Sequence, residues 1–64
     1  MDTRSRTRMK RWLNQILKAA YLLELIAIEL AYEGKILLAY SVTQQANKII
    51  QLVEQIKAEL GKEG

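Results

Sequence analysis

The side chains able to do chemistry here are carboxylates, hydroxyls, amides and amines, because the chain contains neither Cys nor His. That removes disulfides, zinc sites of the usual ligand types, thiol nucleophiles and the imidazole general base together. Among the carboxylates Glu24 stands out, since at helical spacing it falls within an apolar envelope rather than on a wet side. A general acid or a metal carboxylate needs a second titrating or ligating group beside it, and no spacing in the chain supplies one. There is no Gly-rich phosphate loop, no Glu-x-x-His element and no Ser placed beside a base. No catalytic residue, metal ligand, cofactor or small-molecule substrate is therefore expected, and the chain does not read as an enzyme. A structural role suits Glu24 better. If the chain bends at Gly34, Glu24 comes level with residues 43 to 45, within reach of Gln45, Ser41 or Thr43. A carboxylate bonded in that way fixes register instead of costing burial energy.

Two further groups of polar residues need an explanation. Ser41, Thr43, Gln44, Gln45, Asn47, Gln51 and Gln55 form a belt of neutral polar groups where a solvated surface more often carries Glu and Lys. Such a belt is a plain outer face, a hydrogen-bond network between subunits, or the lining of a water-filled pore. Arg4, Arg6, Arg8, Lys10 and Arg11 lead into Trp12, and residues 1 to 18 sum to +5 while residues 19 to 64 sum to −2. Arginines beside an aromatic residue are ingredients of nonspecific nucleic-acid binding or of an anionic membrane flank. Without a reading motif the simpler expectation is solvated charge that keeps an apolar protein in solution. Nucleic acid is thus a disfavoured partner.

The elements that carry these residues are helices. Half of the chain is hydrophobic, proline is absent, and glycine occurs only at 34, 61 and 64, which leaves helix-favouring residues nearly everywhere. At about 100° per residue, Leu13, Ile16, Leu17, Ala20, Leu23, Ala27, Leu30 and Ala31 share one side of a first helix. Leu22, Leu25, Ile26 and Ile28 fill most of its opposite side, so that helix must be covered on more than one side. A second stripe comprises Leu38, Val42, Ala46, Ile49, Val53, Ile56 and Leu60. Gly34 suits the left-handed position that ends a helix. The expected fold is all-α, a single domain over 1–64 with helix 1 at about 3–32, a turn at about 33–35 and helix 2 at about 35–61. Such a short connection makes the helices antiparallel. Arginines near the N-terminus oppose the helix dipole, so the first turns should fray. One competing pattern exists: Ile16, Ala27, Leu38, Ile49 and Leu60 recur every eleven residues, as a single continuous helix in a slightly right-handed bundle would require.

Sixty-four residues without a disulfide or metal make a marginal fold, and association is the remaining route to stability. The Gly-centred hairpin, the Arg/Ser/Thr leader and amides interleaved with Leu, Ile and Ala resemble computationally designed helical-hairpin homo-oligomers. That resemblance implies hairpins arranged about a rotation axis with buried hydrogen-bond networks, for which Glu24, Ser41, Thr43, Gln45 and Asn47 are the candidates. The expected oligomer core is Leu13, Ile16, Leu17, Ala20, Leu23, Ala27, Leu30, Ala31, Leu38, Val42, Ile49, Val53, Ile56 and Leu60. The partner is a further copy of the chain, most simply one to make a dimer, with a trimer or tetramer next. A designed pore is the related alternative, with Trp12, Tyr32 and Tyr40 as interfacial rings. Lys18, Glu24 and Glu29 argue against it, because each costs roughly 2.5 to 3.5 kcal/mol within a span. No secretory signal is readable, and a soluble, cytoplasmic bundle is preferred to a membrane one.

Overall fold

A computed structural model describes residues 2–62 as two α-helices, α1 over Thr3–Tyr32 and α2 over Ile36–Lys62, packed against each other as an antiparallel hairpin. Residues 1, 63 and 64 of the expected domain lie outside the described residues. The first turn has a support that the arginine-rich leader conceals. Asp2 caps α1, its Oδ1 accepting the Ser5 N–H at 2.7 Å, and its backbone oxygen accepts the Arg6 N–H at 3.1 Å. A carboxylate at this position satisfies a donor the helix leaves open and offsets the neighbouring positive charge. The expected fraying therefore meets a specific restraint.

The bend is a Schellman closure. Gly34 takes φ +83°, its N–H donates to Ala31 O at 3.0 Å, and the Lys35 N–H donates to Leu30 O at 2.9 Å. These two bonds satisfy carbonyls that the end of α1 would otherwise leave open. Lys35 then serves as the first half-turn of α2, its carbonyl accepting Ala39 N–H at 2.9 Å. Only three residues, 33 to 35, separate the helices, so they have no room to part.

The residues buried between the helices are Leu13, Ala20 and Ala27 from α1, and Ala39, Ala46, Val53 and Leu60 from α2. Within each helix they recur every seven positions, the spacing of a left-handed coiled-coil seam. The eleven-residue pattern is not the one that packs, because the break at Gly34 resets the phase between α1 and α2. The seam is graded along its length. Ala20, Ala27, Ala39 and Ala46 line the half nearest the bend, whereas Leu13, Val53 and Leu60 form the larger cluster at the open end, with Met9, Leu17, Ile49 and Ile56 against it. Small side chains let the helices approach where the short turn holds them together, and larger ones fill the space further away.

Candidate interaction surface

Two helices make one layer, and a layer has two broad sides. Beside the buried seam of α1 run Met9, Ile16, Leu23 and Leu30 in one row, with Trp12, Ala19 and Ile26 next to them. On α2 the equivalent rows are Val42, Ile49 and Ile56, then Leu38, Gln45, Leu52 and Glu59. Antiparallel packing turns both sets to the same side. An apolar groove at the open end, lined by Met9, Trp12 and Ile16 of α1 with Ile56 of α2, spans the two sets. The result is a face apolar over most of the hairpin, interrupted in its middle by Gln45 and bounded at its ends by Ser5, Glu33, Lys35 and Glu59. Its inner members are partly covered by the neighbouring helix, but the outer ones, Trp12, Ile26, Leu38 and Leu52, are each more than half exposed.

The other broad side is different. Asn14 and Lys57 meet there, Lys57 Nζ donating to Asn14 Oδ1 at 2.8 Å, and Thr7, Lys10 and Glu54 share this side at the open end. Toward the bend the same side carries Tyr21, Ile28, Ile36 and Tyr40, all exposed. Leu22, Leu25 and Tyr32 on the outer back of α1 and Leu37 on that of α2 complete an apolar collar around the bend, with Leu37 85% and Tyr32 83% exposed. A shallow groove along α1 between Leu22, Leu25, Ile26 and Ile28 belongs to this collar.

The five candidate network residues are dispersed over these surfaces. Glu24 and Thr43 are half-buried and flank the seam at the same level, on the side that carries Asn14 and Lys57. Asn47 lies further out on that side, Ser41 on the back of α2, and Gln45 on the apolar face, all three exposed. Within one hairpin no hydrogen bond joins any of the five among the described residues, and no polar or charged residue is fully buried there.

The candidate core residues divide in the same way. Leu13, Ala20, Ala27, Val53 and Leu60 are consumed inside the hairpin, and Leu17, Leu23, Leu30, Val42, Ile49 and Ile56 are half-buried on its flanks. Ile16, Ala31 and Leu38 are left exposed. Ala39, which belongs to neither sequence stripe, is buried; the seven-residue spacing to Ala46 is the signal that finds it.

Among the described residues no group of three carboxylates is gathered as a metal site, and no helix is long and apolar enough to cross a membrane. The charge of the N-terminal arm stands apart from the collar, at the opposite end of a body 48 Å long. No family model, no curated protein and no solved structure matches the chain.

Proposed function

We propose that the chain acts by associating with copies of itself, as a homo-oligomeric helical bundle without catalytic activity. One observation carries this reading. The hairpin buries seven residues, four of them alanine, and leaves thirteen large apolar side chains exposed. Alanine contributes little apolar area, so the driving force for folding has mostly not been collected within one copy. Like chains that cover one another collect it.

Apolar packing supplies the affinity in this reading, and polar groups set which arrangement forms. Gln45 is the residue best placed for that role, as the amide in the middle of the otherwise apolar face. A single buried amide costs stability but penalises every register in which it lacks a partner. Glu24 and Thr43 would act similarly only where a further chain covers the opposite side. Replacing Gln45 by Leu should thus tighten association while broadening the distribution of masses or registers. A single unchanged species would show that Gln45 selects nothing.

Light scattering tests the assembly itself. The expected mass is a multiple of 7.4 kDa, with a melting temperature that rises with protein concentration, as mass action requires when unfolding and dissociation are coupled. A single-copy mass with a cooperative melt independent of concentration would overturn the reading.

A further inference from the structure

We infer that the broad apolar face receives a second copy of this chain, face to face, with the two bends at opposite ends of the dimer. This rests on the self-association proposed above and adds its surface and orientation. Area is the first ground. A compact monomer of 7.4 kDa exposes about 4,200 Å² by the usual scaling of surface with mass, whereas this hairpin exposes 5119 Å². The difference, about 900 Å², matches the roughly 800 Å² that one partner contributes to a standard interface. Among the described residues, the face with Trp12, Ile26, Leu38 and Leu52 is the broad side that stays apolar from the open end to the bend half, so a second copy of equal length covers it.

Charge decides the orientation. Apolar contacts are available along the whole face and favour neither direction. Residues 2–18 and 48–62, the open end, together carry +6, and residues 19–47, the bend half, carry −2. With the bends together, two ends of net +6 each would lie side by side, with only Glu59 of each copy at the edge of the face between them. With the bends opposed, each basic end lies along the other copy's acidic bend half, where Glu29 and Glu33 sit at the rim of α1. Like charges brought within a Debye length, about 8 Å at physiological salt, repel, and opposing the ends removes that repulsion. In this arrangement α1 of one copy runs antiparallel to α1 of the other, and Gln45 of both copies falls near the two-fold axis.

The absence of cysteine allows a direct test with one nitroxide per copy, introduced by Glu33→Cys at the bend or, separately, by Ser5→Cys at the open end. Both positions are exposed or half-exposed, and light scattering checks that each labelled protein keeps the mass of the unmodified chain. Bends opposed places the two labels about 30 to 45 Å apart at either site, from a rise of 1.5 Å per residue. Bends together brings them within about 20 Å. Long separations at both sites are the expected result; a short one at either site overturns the orientation while leaving self-association intact. The choice of face is tested by Leu52→Lys on it and Leu37→Lys away from it. Leu52→Lys should raise the dissociation constant at least tenfold and Leu37→Lys should not; the reverse result assigns the interface elsewhere. An unmodified chain that scatters as one copy in buffer and binds only to phosphatidylcholine vesicles overturns both this inference and the function on which it rests.

Discussion

Gly34 shows how much of the topology one residue controls. Its φ of +83° lies where an L side chain collides with its own carbonyl, and a Cβ built there meets no other atom within 4 Å. The cost of Gly34→Ala is therefore a backbone cost alone, about 1 to 2 kcal/mol. A D-alanine at the same place suits the left-handed conformation and restricts the unfolded chain, so it should stabilise by about 0.4 to 1 kcal/mol. Both figures are measurable by chemical denaturation of synthetic chains. Equal destabilisation by the two enantiomers would mean that the bend does not depend on left-handed backbone. Gly34 was legible in the sequence because a lone central glycine has few other uses in a helical chain. Asp2 was not, because its capping role is masked by the arginines that follow, and only the bond to Ser5 N–H reveals it.

At the scale of the elements, the helices were readable from composition and periodicity, while the seam between them was readable only in part. Leucine and isoleucine mark the wide stripes at residues 16, 23, 30, 38, 49 and 56, and those rows turned out to flank the contact rather than to fill it. The axis of the seam is drawn by alanines, which a hydrophobicity pattern weighs lightly. Ala39 escaped for that reason. Small residues there have a geometric purpose, since a connection of residues 33 to 35 holds the helix ends close. Ala46 is fully covered, with 0% of its surface exposed, so Ala46→Leu inserts three carbons where there is no space. The expected loss is about 1 to 3 kcal/mol, seen as a lower denaturation midpoint. The same change at Ala58, exposed on the back of α2, should cost far less. Comparable effects at both sites would contradict the close approach of the helices near the bend.

At the scale of the whole molecule, a body of 48 × 15 × 10 Å is a single layer, whereas stable domains bury one layer against another. The broad face answers that need for one partner only. The collar around the bend, with Leu22, Leu25, Tyr32 and Leu37 on the backs of the helices, stays uncovered when a second copy occupies the face, whichever way it points. Contiguous exposed apolar surface of this kind promotes further association. Pairs of chains should accordingly assemble through their collars at higher concentration, giving species larger than the two-copy unit. Charging the collar separates the two levels: Leu25→Lys with Leu37→Lys should abolish the larger species and leave the two-copy mass unchanged in sedimentation velocity runs. Collapse to single copies would instead make the collar part of the primary contact, and persistence of the larger species would place the second contact on the side that carries Asn14, Lys57 and the half-buried Glu24.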